Sequence, residues 1–240
     1  MRVRRWTTGL ALSIAAALLA AAAWAGTAQT RPAAKPAAAA VPAPQVETAP
    51  DKSLGSRSAP VVMEVFSDYS CPVCKSFYLS SVRPLLESYV SSGKVYLIHR
   101  DFPLKGVTGH EHSREAALYA NAAARIGRFQ EVDAALYDKQ EVWSCNNGRN
   151  SQGAPCSQNG SVLAAVAAVL SPKDLKRVRE MVESGKLDAY VENDYNAGTS
   201  RGVRSTPTIY LTAHGKTDLI PGTVSYSLLK RFIDEQLQTP

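Results

Sequence analysis

Two cysteines separated by two residues, Cys71 and Cys74, are the feature of this sequence best suited to chemistry. They follow a short apolar run, residues 61–66, and open a segment whose apolar side chains recur at helical spacing. A sulfur at a strand-to-helix junction lies over the helix N-terminus, where unpaired backbone N–H groups and the helix dipole favour a negative charge. The segment Cys71-Pro72-Val73-Cys74 therefore predicts thiol–disulfide exchange.

Disulfide exchange proceeds by attack of a thiolate, so the more exposed sulfur with the lower pKa reacts first. We expect Cys71 to be the nucleophile and Cys74 the resolving thiol, with Pro72 and Val73 completing the active segment. Lowering a thiol pKa by about three units favours the reduced form by roughly 4 kcal/mol. A pair of this kind is easily reduced, which makes its disulfide an oxidant.

A structural disulfide and half of a zinc site are the alternative interpretations of these cysteines. A CxxC bridge closes a very short loop, so it would constrain the unfolded chain little. A zinc site needs more ligands, and Cys145 with Cys156 does not form a second CxxC pair. His110 and His112 lack a third nearby ligand. We therefore expect no metal and no cofactor beyond the redox-active disulfide.

A second segment, Ser205-Thr206-Pro207, has the form of a cis-proline loop that would lie beside the sulfurs. Cis peptide bonds are almost confined to X–Pro. A proline here would leave the carbonyl group of Ser205 or Thr206 free to bind a substrate backbone. We predict that these three residues bind substrate, and a trans-proline at a strand start is the alternative.

Glu64 lies inside the apolar run, which is an unusual place for a carboxylate. A buried acid beneath the cysteines could exchange protons with Cys74, and we predict that role for Glu64. A strand-end glutamate that faces solvent is the alternative. Asp68 is expected to be a loop or capping residue.

Cys145 and Cys156 flank a stretch rich in turn-forming residues, so the two ends can meet. A structural disulfide between them would stabilise the fold by about 2.5–3 kcal/mol in the chain-entropy model. A second redox pair that relays electrons is the alternative.

The elements that must position these residues follow a recognisable order. Strand patterns occur at residues 61–66, 95–98, 208–211 and 216–220. Helical patterns run from residue 72 to Gly93 with a predicted kink at Pro84, through residues 113–198, and along the C-terminus. The order β-α-β, helical insertion, β-β-α is that of an α/β thioredoxin fold with a helical subdomain inserted at about residues 110–200. Its first two strands should be parallel.

The N-terminus has the layout of a secretory signal peptide over residues 1–25, with basic residues, an apolar centre and a small-residue cleavage site. An uncleaved anchor that would tether the protein to the inner membrane is the alternative. Residues 26–53 are rich in alanine and proline and are expected to be a disordered tether. Residues 54–240 then form one folded domain, exported to the periplasm or another extracytoplasmic space, where disulfides persist.

The charge pattern argues against a nucleic-acid partner. The formal net charge is +6, and removal of the three arginines of residues 1–25 leaves +3. No run rich in lysine or arginine occurs in the sequence.

With these residues in view, the chain resembles the DsbA-like family of thioredoxin-fold oxidoreductases. The matching segments are EVFSDYSCPVC (64–74), RDFPL (100–104), HSREAA (112–117) and GVRSTPT (202–208). Glu64 matches the family's buried acid only if one extra residue is allowed before Cys71. The resemblance implies oxidation of reduced, newly exported proteins, followed by reoxidation through a membrane quinone-linked partner.

A disulfide reductase or isomerase of the same fold is the alternative enzyme. Isomerases of the family typically carry a dimerisation domain where this chain has its tether, so we expect a monomer. A copper-binding or thioredoxin-like binding module is the non-enzymatic alternative. Copper chaperones of similar fold generally use CxxxC, and the spacing here is one residue shorter.

Overall fold

A five-stranded sheet with strand order β1-β3-β2-β4-β5 forms the centre of the fold. A computed structural model of the chain describes residues 52–144, 149–150 and 160–238, which lie within the unit Pro44–Pro240. The strands are β1 (Ser53–Leu54), β2 (Val61–Ser67), β3 (Val95–Asp101), β4 (Thr208–Ala213) and β5 (Lys216–Pro221). The predicted signal peptide and most of the predicted tether lie outside the described residues.

The sheet is mixed, because β2 and β3 run parallel while the other neighbouring pairs are antiparallel. The central strand β2 places Glu64 opposite Ile98 of β3 and Tyr210 of β4. A parallel pair needs a crossover connection, here the helical segment after Cys71. The predicted parallel unit is confirmed, and the two predicted C-terminal strands form an antiparallel hairpin.

The crossover segment stays helical through Pro84 although its hydrogen-bonding pattern changes. Its parts are α1 (Pro72–Phe77), a π-helix (Tyr78–Val82), α2 (Arg83–Leu85) and a second π-helix (Leu86–Val90). Proline cannot donate a backbone hydrogen bond, and π-helical turns occur where the α-helical ladder is interrupted. Gly93 follows in a turn with a positive φ of 72°.

Between β3 and β4 every described element is a helix, as predicted for the insertion. These helices are α3 (Ser113–Ala124), α4 (Phe129–Asp138), α5 (Gln140–Trp143), α6 (Val162–Ala167), α7 (Pro172–Glu183) and α8 (Asp188–Ser200). The small residues of α3, among them Ala116, Ala120 and Ala123, are buried. Ser171 accepts a hydrogen bond from the Asp174 backbone N–H at 3.1 Å and caps α7, which begins with Pro172.

The C-terminal helix α9 (Tyr226–Gln238) buries Leu229 and Ile233, as expected of an amphipathic helix. Successive side chains of a strand point to opposite faces, so the sheet separates two apolar clusters. Val65 lies in the large cluster that also contains both active-segment cysteines. Phe66 lies in a small cluster on the other face with Phe102, Val203 and Tyr210.

Two described residues before the predicted boundary at residue 54 are also part of the fold. Ser53 belongs to β1, and the Lys52 side chain is fully buried and paired with Asp101 and Asp194. Its ammonium group lies 2.8 Å from a carboxylate oxygen of Asp194 on α8. A buried charge is tolerated only when it is paired and hydrogen-bonded, so these contacts fix the start of the domain to the insertion.

Within residues 52–144, 149–150 and 160–238, none of the helices has both the length and the apolar character required to cross a bilayer.

Candidate active site

Cys71 lies immediately before the first residue of α1 and has an extended backbone, with φ −72° and ψ 119°. Its N–H donates to the Asp68 carbonyl oxygen at 3.1 Å, and its own carbonyl accepts from the Lys75 N–H at 3.1 Å. Cys71 and Cys74 are both free thiols, 5% and 1% exposed. The strand-to-helix junction predicted for this pair is confirmed.

The pKa of Cys71 is lowered to about 6 from an ordinary value of 9.0. The largest cause is a hydrogen bond from the Cys74 thiol, followed by the nearby Thr206 hydroxyl and by the backbone N–H groups of Cys74 and Val73. Burial of the sulfur opposes these effects. A thiol with this pKa is mostly thiolate at neutral pH.

Cys74 shows the opposite behaviour. Burial, the hydrogen bond to Cys71 and the negative charge of Cys71 together raise the pKa of Cys74 well above its ordinary value. The two sulfurs therefore differ strongly in acidity, and Cys71 is the one poised to react.

The Thr206–Pro207 peptide bond is cis, as predicted. The Cys71 thiol donates to the Thr206 carbonyl oxygen at a distance of 3.6 Å, so the loop meets the sulfur directly. The Ser205 carbonyl instead accepts from the Thr208 hydroxyl at 2.7 Å. The hydroxyl oxygen of Thr206 is buried and has no hydrogen-bond partner among the described residues.

Val73 is 48% exposed, whereas both neighbouring cysteine positions are buried. The Val73 side chain is therefore open to solvent between the two buried cysteines. The cis-proline loop lies on the same side of the sheet end, beside Cys71.

The structure does not bring Glu64 to the thiols. Its carboxylate pairs with Arg201 and accepts from Arg100 at 2.5 Å. Glu64 shares the sheet face of Phe66, since alternate residues of β2 point the same way, and the cysteines belong to the cluster on the other face. The predicted proton exchange between Glu64 and Cys74 has no contact among the described residues to support it.

Asp68 is the loop residue that organises the active segment. Its carboxylate accepts hydrogen bonds from the Ser70 N–H (2.7 Å), the Leu104 N–H (2.8 Å) and the Ser113 hydroxyl (2.5 Å). The His110 ring nitrogen Nδ1 lies 2.8 Å from the same carboxylate. The expectation of a loop or capping role for Asp68 is confirmed.

His110 and Gln140 are site residues that sequence reasoning did not single out for this position. Hydrogen bonding to Asp68 and the negative charges of Asp68 and Cys71 raise the pKa of His110 against the effect of burial. The Gln140 amide donates to the carbonyl oxygens of Tyr69 and Cys71 at 2.6 and 2.9 Å. Asp68 and His110 are 42 residues apart in sequence, so no local sequence pattern predicts their contact.

A small cavity lies beside Cys74 on the inner side of α1. Its volume is about 20 Å³, and its polar lining comes from Ser67, His99, Asp133 and Tyr137. A cavity above about 10–15 Å³ can hold one water molecule. Cys74 and these four polar residues therefore line the same cavity, among mostly apolar walls.

The remaining predicted pair, Cys145 and Cys156, lies outside the described residues, so a disulfide between them stays a prediction.

A family model described as thioredoxin matches residues 47–235. A curated relative, the probable disulfide bond formation protein D of Bacillus cereus, is 23% identical over 187 residues, which cover 78% of this chain and 79% of that protein. The structure resembles oxidised BdbD from Bacillus subtilis with a TM-score of 0.61 and 22% identity, over 79% of this chain and 94% of that one. It also resembles Wolbachia pipientis alpha-DsbA1 with a TM-score of 0.62 and 19% identity, over 82% and 93% of the two chains.

Proposed function

The chain belongs to the thioredoxin family, and from this we propose that it is a DsbA-like thiol:disulfide oxidoreductase that introduces disulfides into exported proteins. The observation that carries the proposal is the difference in acidity between Cys71, with a pKa of about 6, and the buried Cys74, whose pKa is raised. A reactive sulfur that is stable as an anion makes the disulfide form easy to reduce. The enzyme therefore takes electrons from its substrates.

The reaction begins with the oxidised Cys71–Cys74 pair. A substrate thiolate attacks the sulfur of Cys71, the Cys71–Cys74 bond breaks, and Cys74 leaves with the electron pair and takes up a proton. The second substrate thiolate then attacks the substrate sulfur of this mixed disulfide. Cys71 leaves as a thiolate, so two electrons have passed from the substrate to the enzyme and the substrate holds a new disulfide.

The low pKa of Cys71 favours the second step, because a thiol of lower pKa leaves faster. The full effect of a three-unit shift, roughly 4 kcal/mol, is reached only above pH 9. At pH 7, a pKa of about 6 instead of 9.0 stabilises the reduced form roughly tenfold, about 1.4 kcal/mol. The backbone N–H groups of Val73 and Cys74 and the dipole of α1 contribute to this stabilisation.

Substrate binds across Val73 and the cis-proline loop. The exposed Val73 side chain offers an apolar contact, and the Thr206 carbonyl can exchange the Cys71 thiol for a substrate backbone N–H as its donor. Ser205, Thr206, Pro207 and Pro72 complete this surface. A surface made of backbone and small side chains suits many unrelated unfolded substrates.

Export and reoxidation complete the proposal. Residues 1–25 support export to an extracytoplasmic compartment, where a membrane quinone-linked partner would reoxidise the dithiol. N-terminal sequencing of the protein recovered from the cell envelope tests whether cleavage occurs near residue 25 or the segment remains as an anchor.

The decisive measurement is the reduction potential of the Cys71–Cys74 couple in a glutathione redox buffer. We expect a value well above that of thioredoxin, which is about −270 mV. The same preparation should oxidise a dithiol peptide, and the Cys71→Ser variant should not. A potential close to that of thioredoxin would identify a reductase, and full activity of the Cys71→Ser variant would exclude this mechanism.

A further inference from the structure

We propose that Asp133, on helix α4 of the insertion, exchanges a proton with the Cys74 sulfur through one water molecule in the cavity that both residues line. This inference rests on the proposed function. In it, Asp133 gives or accepts the proton that the buried Cys74 sulfur must gain or lose. It replaces the predicted role of Glu64, whose carboxylate lies on the other face of the sheet.

The need for a proton donor follows from the burial of Cys74. This residue is 1% exposed, and it lies among apolar and aromatic side chains of the large cluster. A thiolate in such surroundings is destabilised by desolvation. Bulk water does not reach the sulfur, so the proton must come from a group inside the domain.

The cavity provides a route of the right size. Its volume of about 20 Å³ suits a single water molecule, which needs two to four polar partners. Asp133, His99 and the Ser67 hydroxyl are available along the wall, and the Ser67 hydroxyl is also 2.7 Å from the Tyr137 hydroxyl. Cys74 lines the same cavity.

Asp133 is suited to hold a proton. It is 4% exposed, it accepts one hydrogen bond from the Tyr69 hydroxyl at 2.8 Å, and it has no lysine or arginine within ion-pair distance among the described residues. Burial raises the pKa of its carboxyl group and outweighs the opposing effects of the His99 charge, the Tyr69 hydrogen bond and the Lys52 charge. A carboxyl group in this setting remains protonated to higher pH than an exposed aspartate.

Several titratable groups face Asp133 from the elements packed against it. The nearest nitrogen is Nδ1 of His99 on β3, at 3.6 Å, which is too long for a hydrogen bond. The charge of Lys52, whose ammonium group is paired with Asp101 and Asp194, lowers the Asp133 pKa, and the charge of Asp101 raises it. The hydroxyls of Tyr69, Tyr78 and Tyr137 are neutral, and burial raises the pKa of each.

The step balances in both directions. During substrate oxidation, Cys74 leaves with the electron pair of the broken S–S bond, takes a proton from the water, and the water takes one from the Asp133 carboxyl group. During resolution of a mixed disulfide, the Cys74 thiol gives its proton through the water to the Asp133 carboxylate and attacks the Cys71 sulfur. The bond between Cys71 and the peptide sulfur breaks, and the peptide leaves as a thiolate. Solvent restores the protonation state of Asp133 between turnovers.

The test measures resolution directly. The full chain is prepared as a mixed disulfide between Cys71 and a thiol peptide, and the release of peptide by Cys74 is followed as a function of pH. In the unmodified chain, the rate should rise as Asp133 ionises and then level off. In Asp133→Asn, it should fall at least about tenfold at neutral pH, since general-base assistance is worth 10² or more in favourable cases. The remaining rate should keep rising towards the pKa of Cys74.

Asp138→Asn is the matched control, because Asp138 lies on the same helix and forms an exposed ion pair with Arg83 at 2.7 Å. Its rate and pH profile should equal those of the unmodified chain. A profile for Asp133→Asn within twofold of the unmodified one at every pH would overturn the proposal. Failure of the oxidised protein to oxidise dithiol peptides would instead count against the proposed function, because peptide release is measured separately.

A second variant keeps the test valid if Asp133→Asn does not fold. Val82 also lines the cavity, and Val82→Leu adds a methylene group that would occupy the space of the water while Asp133 stays in place. We expect the same slowing and the same change of pH profile. An unchanged profile in a folded Val82→Leu protein would exclude the water route.

Discussion

The Cys71 sulfur and the Thr206 carbonyl oxygen, 135 residues apart in sequence, lie 3.6 Å apart, and the Cys71 thiol donates a hydrogen bond to this oxygen. The Thr206 hydroxyl oxygen is buried beside them without a partner of its own. One residue of the cis-proline loop therefore presents both an acceptor and an uncommitted donor to the reactive sulfur. The acceptor suits the thiol, and the donor suits the thiolate.

Thr206→Val tests the donor. The valine side chain keeps the shape of threonine but cannot donate a hydrogen bond to the Cys71 thiolate, so the pKa of Cys71 should rise by up to about one unit. The pKa of Cys71 is measured by titrating the reduced protein with pH and following the ultraviolet absorbance of the thiolate. Thr212→Val is a control, because the Thr212 hydroxyl pairs with that of Thr217 at an exposed position of the hairpin. Equal pKa values in the two variants would contradict the assignment.

The stability of the reduced protein should depend on pH through Cys71. Its pKa is about 6 in the folded protein and near 8.5–9 in the unfolded chain. A lowered folded-state pKa adds stability that is fully present above the unfolded pKa and is lost as pH falls through 6. Compared with reduced Cys71→Ser, the reduced protein should gain about 1.4 kcal/mol between pH 5 and 7, measured by denaturant unfolding. If the free energy of unfolding depended on pH equally in the reduced protein and in reduced Cys71→Ser, the pKa of Cys71 would not be lowered.

Lys52→Met tests the buried ion pairs at the start of the domain. The variant leaves Asp101 and Asp194 buried without their shared cation, so the free energy of unfolding should fall by about 3–5 kcal/mol. Lys105→Met removes an exposed partner of Glu192 at 3.0 Å and should cost less than about 1 kcal/mol. Chemical denaturation of both variants gives the comparison, and equal losses would mean that burial of Lys52 contributes nothing.

Cys145→Ser tests the predicted second disulfide. If the pair is structural, the variant should lose about 2.5–3 kcal/mol of unfolding free energy and keep its rate of dithiol oxidation. Thiol counting in the denatured protein, before and after reduction, shows whether the bond exists. A large loss of oxidation rate at unchanged stability would favour the alternative, a relay of electrons through this pair.

The sequence predicted the elements that local patterns define. The β-branched run of β2, the alternation in the hairpin and the helical spacing of α9 each determine an element from near neighbours. The cis-proline loop was predicted because cis peptide bonds are almost confined to X–Pro. The active segment was predicted because a CxxC bridge closes too short a loop to be a useful structural disulfide. The family match confirms the fold that these elements imply.

The sequence could not indicate which face of β2 carries Glu64. A shift of one residue in a strand moves a side chain to the opposite face, and Glu64 is displaced by one residue from the position that matches the family's buried acid. In the structure, Val65 lines the cavity beside Cys74 and Glu64 faces two arginines. Asp133 and Lys52 were missed for a related reason, since their partners are 34 or more residues away in sequence.

The buried ion pairs of Lys52 would have a mechanical consequence if the protein were anchored by its N-terminus. A pull on the chain before residue 52 would load the Lys52 ion pairs and the two-residue strand β1 at the edge of the sheet. Strand β3 separates that edge from β2, which leads to the reactive sulfur. The Lys52 ion pairs hold Asp101, which lies opposite Ser67 at the end of β2, so part of that load would reach the strand that leads to Cys71.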